Sequence, residues 1–217
     1  MGAAERDEFL RAAWKALVCG GMDAARLVFV DEMGANVSLS PLYAWSRRGE
    51  RAHAKAPRNW GKNVTLLASV AAGGVGPCLA VEGSTTRVVF EAYLKRVLVP
   101  SLRPGQAVVM DNLSAHKGPR VREIVESAGC ELYYLPPYSP DLNPIEQVFS
   151  KVKGLLRSSE ARTREALVEG MGGALDAASS RDARGFFGHW RLPLGGPTAM
   201  TTALVCNLPA HPTIYVA

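Results

Sequence analysis

The chain is poor in the features that would place it in several large classes. No run approaches the roughly 18 apolar residues of a membrane-spanning helix. The opening Met1-Gly-Ala-Ala-Glu-Arg-Asp-Glu8 carries charge where a secretory signal needs an apolar centre. Only four cysteines occur, Cys19, Cys78, Cys130 and Cys206, without a C-x-x-C pair or ligand-like spacing. That pattern argues against a zinc site and for a reducing compartment. Four histidines at 53, 116, 189 and 211 are too scattered for a metal cluster. The expectation is a soluble, cytoplasmic protein without a membrane partner. A more local shortage marks the end of the chain: Leu192–Ala217 contains no Asp, Glu, Lys or Arg. With its prolines and glycines this stretch reads as an irregular tail, in which Val205-Cys206 and Ile214-Tyr-Val216 are able to pair as edge strands.

What is present describes an ordinary globular protein. The 217 residues, 47% apolar and 21% charged, suffice for one sizeable core and leave too little for a second full domain. We expect a main domain over 26–190, a leading helix or remnant of an upstream region over 1–25, and the tail over 191–217. The formal charge of +5 is concentrated. Between Ala44 and Val64 stand Arg47, Arg48, Arg51, Lys55, Arg58 and Lys62 against the single acid Glu50, so this segment holds the whole excess. Such a cluster is what contact with a phosphate backbone needs, and equally what keeps a solvated loop soluble. Trp45 and Trp60 flank it; for Trp45 the expectation is core or edge packing.

Periodicity orders the rest. Residues 4–19 read as an amphipathic helix with Phe9, Leu10, Ala13, Trp14 and Leu17 at helical spacing, broken by Gly20-Gly21. Leu27–Val30 reads as a strand ending at Asp31-Glu32, and Met33–Asn36 as a turn. Leu42–Ser46, Asn63–Ala71 and Val75–Val81 read as further strands of a meander. Thr85 or Thr86 caps a helix carrying Val89, Phe90, Tyr93, Leu94, Val97 and Leu98, which Pro100 ends. Ala107–Met110 is a strand, Pro119 to Gly129 a helix, and Glu131–Leu135 a strand, an order that calls for two parallel neighbours. Asn143-Pro144 opens a helix lined by Ile145, Val148, Phe149, Val152, Leu155 and Leu156. Glu160–Ala178 is another, with Leu167, Met171, Ala174 and Leu175 inward. The fold class is therefore α/β: an antiparallel meander plus parallel strands in one mixed sheet, with helices on both faces.

Three carboxylates stand out in this framework. Asp31 and Asp111 both follow apolar strands, where open sheets place ligand-binding groups. Brought together they would repel, and a hard divalent cation would relieve that repulsion; oxygen ligands favour magnesium or manganese over zinc. Each Asp alone also reads as a turn or cap residue. Glu146 has a competing role, because Asn143-Pro-Ile-Glu146 forms a capping-box-like start with proline at N1.

Taken together, Phe29-Val-Asp-Glu32, Val109-Met-Asp-Asn-Leu-Ser-Ala-His-Lys117 and Leu135-Pro-Pro-Tyr-Ser-Pro-Asp-Leu-Asn-Pro-Ile-Glu-Gln-Val-Phe149 resemble the catalytic domain of bacterial insertion-sequence transposases in the mariner-like branch of the DDE superfamily. The resemblance runs from about Arg26 to Gly188, and thirty-four residues separate Asp111 from Glu146. It implies a ribonuclease H-like fold, with Asp31, Asp111 and Glu146 as catalytic, metal-binding carboxylates holding two Mg²⁺ ions, or Mn²⁺ in their place. The implied reaction is phosphodiester cleavage at element ends, followed by transfer of the freed 3′-hydroxyl into target DNA. Supporting roles fall to Asn112 and His116, which would position a carboxylate or phosphate or equally serve ordinary loop hydrogen bonds, and to Glu32 and Asp141, for which shaping a turn is the plainer role. Lys117 joins the basic segment as a candidate backbone contact. Implied partners are double-stranded DNA, a second copy of the chain in the DNA complex, and an upstream helix-turn-helix portion, since only 30 residues precede Asp31 here. A bacterial protein of this kind would be nucleoid-associated when bound to DNA. Basic backbone contacts position DNA without reading it. Two other readings stand beside this one: a ribonuclease H-like nuclease without strand transfer, and an inactive DNA-binding remnant of a transposase.

Overall fold

Strand β1 (Leu27–Ala35) runs through the middle of the sheet, and its residues explain why. Leu27, Val28, Phe29 and Val30 are all buried, the unbroken apolar run of a strand covered on both faces. The computed structural model describes residues 6–53, 55, 58, 61–113, 116–189 and 214–216. Over these the strands β2 (Val64–Ala71), β3 (Gly74–Val75), β4 (Cys78–Glu82), β5 (Ala107–Met110), β6 (Glu131–Tyr134) and β7 (Ile214–Val216) join β1 in one sheet. Their order is β6-β5-β1-β2-β4-β7, with β3 beside β2. β2 is antiparallel to β1 and to β4, whereas β5 lies parallel to β1 and β6 parallel to β5. β7 adds to β4 in parallel, from Cys78 opposite Ile214 to Ala80 opposite Val216. The mixed sheet agrees with the ribonuclease H-like expectation.

Alternation along β1 divides the core. Leu27, Phe29, Met33 and Ala35 join a cluster with α4 (Ile145–Ser159), α5 (Arg164–Asp176) and α6 (Ser180–His189). Val28 and Val30 join a second cluster with α2 (Arg87–Tyr93) and α3 (Pro119–Ser127). Thr86 caps α2, which runs on through a wider turn over Leu94–Leu98 and a 3-10 turn over Val99–Ser101. α3 ends before Gly129, whose φ of +71° suits glycine; a Cβ there would stand 3.1 Å from Pro104. α6, with no counterpart among the helices expected from periodicity, sets Phe187 edge-on to Phe29 at 5.6 Å between centroids.

Several local expectations are corrected. β1 does not stop at Asp31; it continues to Ala35 because β2 pairs with it the whole way, from Val28 opposite Ala71 to Ala35 opposite Val64. Met33–Ala35 is therefore strand, and no turn exists there for Glu32 to shape. Leu42–Ser46 forms no strand: it lies in the long connection between β1 and β2, with Leu42, Tyr43 and Trp45 exposed, so Trp45 packs in neither core nor edge. Trp60 and Val205-Cys206 lie outside the described residues. The helix expected from Glu160 begins at Arg164, after Thr163 as cap, because Glu160 takes a left-handed conformation that ends α4. Leu155 is exposed, at the margin of the α4 stripe.

Helix α1 (Glu8–Gly21) departs most from its pattern. It continues through Gly20-Gly21, and Phe9, Leu10, Ala13 and Leu17 face solvent. The face turned to the domain carries Arg11 and Val18, both buried, with Trp14 half-buried between them. Tertiary packing has thus overridden the apolar stripe. Phe187→Ala should cost about 3–5 kcal/mol in urea unfolding, and Phe9→Ser should stay within about 0.5 kcal/mol of the parent. Comparable losses for the two would contradict the orientation of α1.

Candidate active site

Asp31 sits on β1 at mid-strand, opposite Ala68, on the face shared with Phe29 and Met33. It is 8% exposed. One carboxylate oxygen accepts the Glu32 amide at 2.7 Å, and the other accepts the Asn143 side-chain amide at 2.7 Å. Burial pushes this carboxyl up to about 7, although the Glu32 amide works against the shift. The negative charges of Asp111 and Glu146 add to the rise, while His116 opposes it. Asp111 and Glu146, the other two carboxylates singled out in the sequence, therefore both lie near enough to act on Asp31.

Asp111 follows β5 directly, and pairing of Val30 with Met110 sets that strand end beside Asp31. Its carboxylate accepts the Leu113 amide at 3.3 Å and a hydrogen bond from His116 Nδ1. Because a carboxylate only accepts, Nδ1 carries the proton. His116 is fully buried; its ring stacks on Phe90 at 4.0 Å, and its carbonyl accepts the Tyr134 hydroxyl at 2.8 Å. Side chains from α2 and β6 thus hold the residue that orients Asp111. Asn112 is half-buried beside it, and Lys117 is exposed.

Glu146 stands in the first turn of α4 and is exposed. The capping box does not form. Pro144 is the cap, the Glu146 amide donates to the Asn143 carbonyl at 3.2 Å, and the Asn143 side chain reaches to Asp31. Among the described residues the Glu146 carboxylate accepts no hydrogen bond, which leaves it available at the rim. Asn143, read from the sequence as a helix cap, does accept the Ile145 amide through Oδ1 at 3.4 Å, and its amide nitrogen also links α4 to β1. Asp141 lies in the 3-10 turn Pro140–Leu142, and its carboxylate pairs with a residue far away in the chain, Arg11 of α1. That guanidinium keeps the Asp141 carboxyl below the usual carboxylate range. Sequence reasoning missed Arg11, since an arginine on an amphipathic helix reads as the solvent face. Glu32 points to the opposite side of the sheet from Asp31, half-buried, with Oε2 unpartnered.

All three carboxylates are hard oxygen donors, a set that suits a divalent cation such as Mg²⁺ or Mn²⁺. Among the described residues, however, no three such groups converge on one point closely enough to hold an ion. Two of the three are held by partners of their own: Asp31 by Asn143, Asp111 by His116.

The predicted backbone contacts Arg47, Arg48, Arg51, Lys55, Arg58 and Lys62 are all exposed, in or beside the connection between β1 and β2. Asn36 and Asn63 close its base at 3.0 Å. Arg162 holds its first residues through the carbonyls of Val37 and Leu39, at 3.2 and 3.0 Å. Lys62, Arg162 and Arg164 line a cavity of about 380 Å³ there, in which Glu82 pairs with Lys62 at 2.7 Å and also with Arg164. Among the described residues no helix is long and apolar enough to cross a membrane.

The raised Asp31 carboxyl has a definite sign in stability. Between an unfolded value near 3.8 and the folded value of about 7, the native state binds the extra proton. Stability therefore falls as pH rises through that window and levels off above it, by about 4 kcal/mol at most. With EDTA present, Asp31→Asn should raise Tm at pH 8 by several degrees and change it little at pH 4. A fall in Tm at pH 8 would show that the charged carboxylate is not under strain.

Residues 26–168 match the family model described as DDE superfamily endonuclease. The Tcb2 transposase of Caenorhabditis briggsae is 26% identical over 169 residues, covering 72% of this chain and 62% of that protein. Among solved structures, the Mos1 mariner paired-end complex with Mn superposes with a TM-score of 0.69 at 18% identity, covering 86% of this chain and 59% of that one. The catalytic domain of Mos1 mariner transposase superposes at 0.61 with 15% identity, covering 85% and 86%. The chain thus spans about three fifths of the length of the Tcb2 protein and of the chain in the paired-end complex. With the sheet order, the helices on both faces and a family match over most of its length, the chain belongs to the DDE superfamily of endonucleases, as a domain related to the catalytic domains of mariner- and Tcb-type transposases.

Proposed function

We propose that this domain is the catalytic unit of a metal-dependent DNA transposase, cutting phosphodiester bonds at the ends of an element and joining the freed 3′-hydroxyl to target DNA. The observation that carries this reading is that the charges of Asp111 and Glu146 both raise the carboxyl of the buried Asp31, with Asp111 following the end of β5 alongside β1. Paired ends and Mn belong to the Mos1 complex named above; for this chain, double-stranded DNA, a second copy and Mg²⁺ or Mn²⁺ are proposals of the same reading.

The three carboxylates divide the work by depth. Asp31 forms the floor, buried and held by Asn143; Asp111 stands at the wall, oriented by His116; Glu146 stands free at the rim. Two divalent cations held by these residues would neutralise charge at the scissile phosphate and lower the pKa of the attacking hydroxyl. Burial of Asp31 excludes water from one side and strengthens electrostatics there. The exposed Glu146 leaves the other side open to a polymer too long to be enclosed. Arg47, Arg48 and Arg51, with Lys55, Arg58, Lys62 and Lys117, supply backbone contacts that hold the strand without reading it.

The test is Mg²⁺-dependent cleavage of a duplex carrying an element end, with a helix-turn-helix partner supplied. Asp31→Asn, Asp111→Asn and Glu146→Gln should each remove cleavage while DNA binding persists. Cutting by Asp111→Asn at the parental rate would sink the assignment. Cleavage without joined products would instead identify a nuclease, and binding without either step a DNA-binding remnant. Replacing Arg47, Arg48 and Arg51 with Gln should flatten the slope of log K against log salt by about 0.9 for each phosphate that is no longer neutralised. An unchanged slope would remove the basic connection from the DNA path.

A further inference from the structure

The turn that carries Asn143 is held from outside the sheet, by a residue that precedes the family match. Arg11 of α1 is 2% exposed and is the largest fully buried side chain among the described residues. Its guanidinium donates two parallel hydrogen bonds to Asp141, from Nη1 at 2.9 Å and from Nη2 at 2.5 Å. A third, from Nε, reaches Glu8 at 3.3 Å. Arg6 stands 3.5 Å from the same Asp141 carboxylate.

Asp141 lies within the 3-10 turn Pro140–Leu142. The amides of Leu142 and Asn143 donate to the carbonyls of Ser139 and Pro140 at 2.9 and 3.0 Å, so little slack remains between Asp141 and Asn143. Asn143 is buried and spans to Asp31 at 2.7 Å. The connection from α1 to the floor of the site therefore consists of a bidentate ion pair, one hydrogen-bonded turn and one buried amide.

Burial alone does not account for this arrangement. α1 carries Phe9, Leu10 and Leu17 on its exposed side and turns an arginine inward. A buried ion pair is weak as a source of stability, because desolvation offsets much of its attraction. What a planar guanidinium fork supplies is direction: it fixes both oxygens of the carboxylate at once.

We propose that Arg11 is a positioning residue for the carboxylate cluster, acting as a latch through Asp141 and Asn143 to set the place and orientation of Asp31. The proposal rests on the reading of Asp31 as a metal-holding carboxylate. It makes α1 a working part of the site, and any displacement of α1 along its axis is transmitted to Asp31.

The experiment measures thermal unfolding of the full chain against Mn²⁺ concentration without DNA, taking the midpoint of the Mn²⁺-induced rise in Tm. Arg11→Met and Asp141→Asn should each raise that midpoint about tenfold, as removal of an outer-sphere partner does. The double variant should do no worse than either single change, because the two side chains act as one link. Val125→Ala, in the α3 core on the other face, is the control: it lowers Tm and leaves the midpoint where it was. Should Arg11→Met fail to fold, Asp141→Asn carries the test, since Asp141 is partly exposed. Midpoints within about twofold of the parent for the Arg11 and Asp141 variants, with only Tm lowered as in Val125→Ala, overturn the latch. A parent protein without any Mn²⁺ response, or a response that survives Asp31→Asn, overturns the metal-site reading and the latch with it.

Discussion

A carboxylate buried in the middle strand of a sheet is the constraint around which this domain is built. Asp31 is surrounded by apolar residues on β1 and β2, and burial raises the cost of its charge. Two hydrogen bonds offset part of that cost, one from the next amide along the strand and one from Asn143. The second binds the start of α4 to the sheet, and it does so at the place where Glu146 emerges. Asp111 and Glu146 then bring like charge toward Asp31, so the cluster favours whatever supplies positive charge there.

The surrounding parts are arranged about the same strand. β1 and β2 extend past Asp31 by four residue pairs, which carries the long basic connection outward on two supports. Its base is closed by Asn36 and Asn63 and held by Arg162 from the link between α4 and α5. The connection starts and ends at the far end of that extension, and its charged residues remain in solvent. On the other face, Phe90 and Tyr134 hold His116 so that its ring meets Asp111 in one orientation. The carboxylates thus draw support from different elements, a distribution that suits a site needing distinct depths for its members.

Much of this was legible along the chain, and the exceptions have a common cause. The buried stripes of α2, α4 and α5 follow their 3.6-residue pattern, and β5, α3 and β6 fall where the apolar runs place them. Those elements bury a whole face, so periodicity reports them faithfully. Where partners come from distant sequence the pattern misleads. Met33–Ala35 is strand only because β2 lies alongside, and Leu42–Ser46 fails as a strand because nothing pairs with it. α1 exposes its apolar stripe because Arg11 finds Asp141, 130 residues further on.

By itself the sequence determined the class of the fold, the three acidic stretches and their order, and the segment where positive charge gathers. Each of these depends on neighbouring residues and local periodicity. The tertiary structure alone decided which depth each carboxylate occupies, that Asn143 reaches Asp31 while still accepting the Ile145 amide, and that α1 is tied to the turn before α4 through a buried arginine. Those outcomes depend on desolvation and on hydrogen-bond partners brought together from separate parts of the chain, quantities that a linear pattern does not contain.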